Sequence, residues 1–320
     1  MKATLHLGLA VVLGSVLTCT NASAQLYSQN FNVDDSANWT VNATVGIDYI
    51  ANFAYDYSAI GVPAAPNGSG TIGLKLTANN SAGILGGLSV SPNGQSFSGN
   101  YQVSFDMWQN YVGPLGPGGS GTTQFSMYGI GTSGTTVSTI GGFNVNSGVG
   151  FGTTLDGGSA SDYRAYSSAA LTSYASGNAV YQAPAGAINN SAAYYAYYTP
   201  QSAPANQVTL FPGQTGSTDP GETSFAWRRV VIDVVGGFAT WSIDGLALAK
   251  IDLSTVTLGG GNIFLGFDDT NAGISADANR ATLNVTLYDN LQVVAVPEPS
   301  TMSLLLLGLP LLALRRKAAR

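Results

Sequence analysis

The chain has 320 residues, 45% of them hydrophobic and only 9% charged, with 41 Gly, so it is turn-rich and long enough for one large domain or two small ones. Eleven Lys and Arg stand against 17 Asp and Glu, a net charge of −6. A phosphate-binding surface needs clustered cations, so nucleic acid is not an expected partner.

The first predicted element is a signal helix over residues 1–24. Lys2 supplies a positive start, Leu7 to Leu17 form an apolar run broken only by Gly and Ser, and Ala22-Ser23-Ala24 has the small-x-small form of a signal-peptidase site before Gln25. The competing readings are a buried first helix of the domain and acylation at Cys19, where Thr18 occupies a place that calls for a smaller residue. His6 and Cys19 are the only His and Cys in the sequence, and both lie in this segment. A mature chain starting at Gln25 therefore lacks thiolate and imidazole. That excludes Cys and Ser-His-Asp hydrolases, zinc centres built on those ligands and redox dithiols. Core burial, sheet pairing or bound ions must hold it together, because no disulfide does.

From Gln25 to Val296 six cations face sixteen carboxylates, a net charge of −10 that favours solubility and cations and disfavours polyanions. Period-two alternation predicts half-buried strands at Asn38–Asn42, Gly73–Thr77, Tyr101–Met107 and Gln124–Tyr128. Residues 150–224 depart from that rhythm and read as a long insertion rich in Tyr, Ala, Ser and Gly. Eight of the 16 Tyr fall there. Rings on loops can stack on sugar faces while their hydroxyls hydrogen-bond, which makes Tyr163, Tyr166, Tyr194, Tyr195, Tyr197 and Tyr198 candidate glycan contacts. The competing expectation is that these tyrosines pack the insertion onto the domain.

Beyond it, Val230–Val235, Gly236-Gly237 and Phe238–Ile243 read as a tight hairpin. Asn262–Phe267 and Thr282–Tyr288 add two strands. Many short strands at such spacing predict an all-β fold, a two-sheet antiparallel β-sandwich. The run from Trp227-Arg228-Arg229-Val230 through Thr240-Trp241-Ser242-Ile243-Asp244-Gly245 to Asn262-Ile263-Phe264-Leu265-Gly266 resembles the laminin G type of concanavalin A-like jelly rolls, over about 70 residues. In such folds the last strand, here Tyr288–Val293, lies beside the first, near Phe31-Asn32. The resemblance implies carbohydrate or protein binding, often with calcium, in a fold that also includes glycosidases.

Calcium takes about six to eight oxygen ligands and needs neither His nor Cys. Asp268, Asp269 and Asn271 and the following Asp277-Ala278-Asn279, with Asp34-Asp35 and Asp289 near the joined termini, are the candidates for a structural Ca2+, Asp268 and Asp269 foremost. Their competing role is in turns, where Asp and Asn bond their own backbone. Glycoside hydrolysis needs a carboxylate pair. The Glu-x-Asp-x-x-Glu strand pattern of sandwich glycosidases is missing, and Glu222, the only Glu between Gln25 and Val296, reads as an exposed turn in Asp219-Pro220-Gly221-Glu222.

The last element is the most specific. Val296-Pro297-Glu298-Pro299-Ser300 precedes an apolar helix over 300–314 and the basic end Arg315-Arg316-Lys317. Fifteen helical residues span about 22 Å, short of a hydrocarbon core of roughly 30 Å. This order resembles the PEP-CTERM sorting tail of exported bacterial proteins. It implies a short transmembrane helix with its basic residues on the cytoplasmic side, transient membrane association, cleavage by an exosortase near Pro297 and release to the surface or matrix of a Gram-negative, exopolysaccharide-making bacterium. An ordinary C-terminal anchor is the competing reading. The expected organisation is thus a signal peptide (1–24), a β-sandwich (25–295) and a sorting tail (296–320). The expected function is non-enzymatic binding or organisation of exopolysaccharide. The alternatives are a purely structural matrix protein and a glycoside hydrolase using an Asp pair.

Overall fold

The computed structural model describes residues 24–113, 123–138, 148–156, 158–168 and 173–297. Most of the signal segment, with Ala22, and Glu298, Pro299, Ser300, Arg315, Arg316 and Lys317 of the tail lie outside them. The strands, in chain order, begin with β1 (Gln25–Gln29), β2 (Trp39–Ala43), β3 (Tyr49–Asp56), β4 (Ile72–Ala78), β5 (Gly86–Pro92), β6 (Tyr101–Asn110) and β7 (Gln124–Thr132). There follow β8 (Val149–Thr154), β9 (Tyr163–Ser167), a short helix α1 (Ala205–Leu210), β10 (Trp227–Val235), β11 (Phe238–Ile243) and β12 (Leu246–Asp252). Strand β13 (Asn262–Asp269), helix α2 (Arg280–Leu283) and β14 (Val285–Ala295) complete the series. No helix among the described residues is long and apolar enough to cross a membrane.

The strands form two antiparallel sheets. One has eight strands in the order β12-β11-β10-β6-β14-β4-β3, with β1 also on β14; the other has six, β2-β5-β13-β7-β8-β9. This is the expected all-β sandwich of two antiparallel sheets. Alternation decides what enters the core. Leu74 and Leu76, Val103 and Phe105, Val230 and Ile232, and Ile263, Leu265 and Phe267 all turn inward. Phe105 packs between Tyr128 and Tyr288, at centroid distances of 5.1 and 5.5 Å, and Trp241 stacks on Phe151 at 5.1 Å.

Turn chemistry fixes the β10–β11–β12 meander. Gly236 and Gly237 both take positive φ (59° and 82°), as do Asp244 and Gly245 (50° and 83°), the geometry of two-residue hairpin turns. Asp244 does more than turn the chain: its Oδ1 accepts from the Arg229 amide at 2.7 Å and its Oδ2 pairs with Arg228 at 3.1 Å.

First and last strands lie side by side, as expected. Strand β14 pairs with β4 through Thr286–Tyr288 and then with β1, Leu291 opposite Gln29. The exchange occurs at the irregularity after Asp289, where Asn290 takes φ +52°. Two expectations need correction. Strand β14 starts at Val285 because Arg280–Leu283 forms a helical turn. The supposed insertion opens with two strands of the six-stranded sheet, β8 and β9, since Val149-Gly150-Phe151-Gly152 alternates with Gly in place of polar side chains. Between residues 173 and 226 the chain has no strand and only short helical turns, and it joins the sandwich through a bridge between Tyr181 and Ala249 on edge strand β12.

Candidate functional site

The tyrosines of the insertion are spent on packing. Tyr163 stacks on Tyr195 at 4.0 Å, and their hydroxyls donate to the carbonyls of Gly221 and Ala187 at 2.6 and 2.7 Å. Tyr194, Tyr197 and Tyr198 donate to the carbonyls of Ala247, Asp244 and Ile243 on the β11–β12 hairpin. Tyr163, Tyr195 and Tyr198 are buried, and Tyr197, 56% exposed, is the one clearly solvated ring of the six. A ring needs a free face to stack on sugar, which Tyr163, Tyr195 and Tyr198 lack.

Tyr166 lies elsewhere, on the outer face of the six-stranded sheet. The register builds that face in rows. Asp268 lies opposite Gly87 and Phe125, Gly266 opposite Met127, and Phe264 opposite Gly129. Across β8 the rows continue from Met127 through Gly152 to Arg164 and from Gly129 through Gly150 to Tyr166. Phe125, Met127, Tyr166 and Phe264 form an apolar cluster separate from the main core. The Arg164 guanidinium lies 4.1 Å from the centre of the Phe125 ring and is held by Ser161 O and Ser159 Oγ. Gly87 leaves room for its neighbour: a Cβ there would stand 2.6 Å from Asp268 Cα and 2.0 Å from Phe267 O.

Asp268 is the chemically unusual member. It is fully buried, and neither side-chain oxygen has a hydrogen-bond partner. Burial first, and the charge of Asp269 second, push its carboxyl well above the usual carboxylate range, with Arg164 and the Asp269 backbone amide opposing. An ionised carboxylate without donors is very costly at that depth, so the group is held as the neutral acid. A neutral carboxyl beside a guanidinium, a phenol and an aromatic floor can donate and accept hydrogen bonds toward hydroxyl-bearing ligands, and it has a proton to give.

The calcium candidates do not converge. Successive residues on a strand point to opposite faces, so Asp269 turns away from Asp268; its oxygens accept from Asn79 Nδ2 at 3.0 Å and from the Asn271 amide at 2.9 Å. Asp289 belongs to the other sheet, where it accepts from Tyr57 Oη at 3.1 Å. No three His, Cys, Asp or Glu side chains among the described residues form a metal-holding group.

Glu222 also needs correction. It does close the expected turn, but it is 9% exposed, with oxygens accepting from Asn190 Nδ2 and the Asp219 amide, both at 3.0 Å. Burial pushes its carboxyl up to about 8, and the neighbouring Asp162 rises to about 6 for the same reason. Sequence reasoning missed Arg164, Phe125, Met127 and Phe264. The alternation of β7 was visible, but it points Phe125 and Met127 at the core, whereas the structure turns Ser126, Tyr128 and Ile130 inward and sets Phe125 and Met127 on the outer face.

No family model matches the chain, and no curated protein matches it. Solved structures do resemble it. An endo-1,3-beta-glucanase from Streptomyces sioyaensis is 10% identical, with TM-score 0.46, covering 89% of this chain and 100% of the other. A protein of unknown function with a galectin-like fold from Bacillus subtilis (10% identity, TM-score 0.42) covers 85% and 96%. The Emp46p carbohydrate recognition domain (10% identity, TM-score 0.41) covers 85% and 97%. Likeness at this level assigns no activity. The expectation of a module without chemistry is nevertheless corrected, because a sandwich architecture does not fix function and does not exclude catalysis.

Proposed function

We propose that the chain is an exported carbohydrate-active module that contacts saccharide on the outer face of its six-stranded sheet, with Asp268 as the central group. One observation carries this reading: a fully buried acid set beside Arg164 and the aromatic cluster has two oxygens without a hydrogen-bond partner among the described residues. Structural carboxyls elsewhere in the sandwich have donors. The segment leaving β7 crosses this face, with the Ser138 amide donating to Ser89 Oγ at 2.9 Å, so a saccharide that reaches Asp268 displaces contacts of that segment.

Where the sheet begins and ends supports the proposed export and processing by signal peptidase and exosortase. Strand β1 begins at Gln25, directly after the Ala24 site, and strand β14 ends at Ala295, directly before Val296. Both processing points, Ala24-Gln25 and Val296-Pro297, therefore border the folded sandwich without interrupting a strand.

The test is a glycan array followed by affinity electrophoresis in the retained polysaccharide. Retardation that Asp268→Asn abolishes, with the fold intact by circular dichroism, supports the site. Retardation unchanged by that substitution, or no retention on any glycan, contradicts it. The neutral acid also favours a second reading, glycoside hydrolysis with Asp268 as proton donor. Reducing ends then appear when the retained glycan is incubated with the module, at a rate that Asp268→Asn lowers by roughly 10²–10⁴-fold.

A further inference from the structure

A second polar groove lies at the edge of the other sheet. Insertion residues 178–182 run beside β12, with Lys250 N donating to Val180 O at 2.7 Å and Gln182 N to Leu248 O at 2.9 Å. Beside that pairing opens a groove of about 400 Å³ whose walls include Tyr174, Asn178, Gln182, Phe238, Lys250 and Asp252. The volume suits one or two sugar residues, within the roughly 300–1,000 Å³ of small-molecule sites.

The groove offers a ring and a surplus of donors. Phe238 is 37% exposed, and the Lys250 ammonium stands 4.3 Å from its centroid. Lys250 has no ion-pair partner among the described residues, where the two salt bridges belong to Arg228 and Arg229. Asn178 uses its oxygen to accept from the Val180 amide at 3.0 Å, which leaves its NH₂ group free. Asp252, the one carboxylate in the lining, accepts from the Ser254 amide through Oδ1 at 2.9 Å and keeps one oxygen for a sugar hydroxyl.

We propose that this groove binds a uronate residue of an acidic polysaccharide. The uronate carboxylate accepts from Lys250 and Asn178, and the C–H face of the pyranose rests on the Phe238 ring in place of the ammonium. An ammonium with only a ring for company gains a full counter-ion from such a ligand, whereas a neutral sugar supplies none. The net charge of −10 repels polyanions at long range, so recognition depends on this local pairing. The site shares no residue with the Asp268 face and stands or falls without it.

The experiment is calorimetric titration of the module with galacturonate and guluronate oligomers, and with neutral glucan oligomers of equal length. Uronate binding is expected to weaken at least tenfold in Lys250→Met, which keeps the stem on Phe238, and in Phe238→Ala, while Asp268→Asn leaves it unchanged. Lys250→Met is also expected to remove most of its salt dependence. Both groove residues are solvent-accessible, and an unchanged melting midpoint certifies the variants. No uronate binding by the folded module, binding indifferent to both substitutions, or equal binding of neutral oligomers overturns the proposal. So does uronate binding that Asp268→Asn abolishes.

Discussion

Asp106 and Asp268 are both fully buried, yet they have opposite surroundings. Asp106 accepts from Asn67 Nδ2, Asn290 Nδ2 and Arg229 Nη1 at 2.7, 2.8 and 3.2 Å, whereas no donor among the described residues reaches either Asp268 oxygen in good hydrogen-bond geometry. Removing the acid from the two sites should therefore move stability in opposite directions. Asp106→Leu strands a guanidinium and two amides and is expected to cost about 2–4 kcal/mol, read from denaturant melts. Asp268→Asn removes an acid that resists ionisation and is expected to raise the midpoint at pH 8 while abolishing saccharide retention, the trade expected of a functional position. The Asp268-Asp269-Thr270-Asn271 run was conspicuous in the sequence. That its two acids part to opposite faces of β13 follows from strand alternation, but a loop reading hid it, because the strand runs through Asp269.

At the scale of elements, the hairpins were the most legible parts. Gly236-Gly237 and Asp244-Gly245 need positive φ, and few other residues tolerate it. Asp244 adds its bonds to Arg228 and Arg229, so Asp244→Ala is expected to cost about 1–3 kcal/mol and Asp244→Asn less, since Asn tolerates the turn and keeps an oxygen for the Arg229 amide. Strand β8 was hidden because glycine supplies its outward positions, and β9 because it is short and a long irregular run follows it. The tyrosines behind β9 are mortar: Tyr195→Ala should cost about 3–5 kcal/mol, while Tyr197→Ala stays within roughly 1 kcal/mol and leaves glycan retention intact. Loss of retention in Tyr197→Ala would restore that ring to the list of sugar contacts.

For the whole molecule, buried acids set the response to pH. Burial raises Asp162 and Asp289 to about 6, Asp269 to about 7 and Glu222 to about 8, with Asp156 and Asp268 shifted the same way. A folded-state pKa above the unfolded one means that the folded protein holds protons more tightly. The stability this confers is complete below the unfolded values near pH 4 and is lost as pH rises through the folded ones. The melting midpoint is therefore expected to fall between pH 5 and 8; a flat or rising profile would contradict these burial states. Asp48, lowered by three backbone donors, acts oppositely but only near pH 4 and below.

The sandwich class and its closing strands were legible because alternation and turns are local, while the Asp268 face was not, because it is assembled from five strands, with β5, β7 to β9 and β13 far apart in sequence. The most direct check on it is a ¹³C NMR titration of the Asp268 carboxyl, assigned by Asp268→Asn, with and without the retained oligosaccharide. The account predicts a protonated signal at pH 7 that shifts when oligosaccharide is added. A carboxylate titrating near pH 4, or a signal indifferent to saturating oligosaccharide, would contradict it.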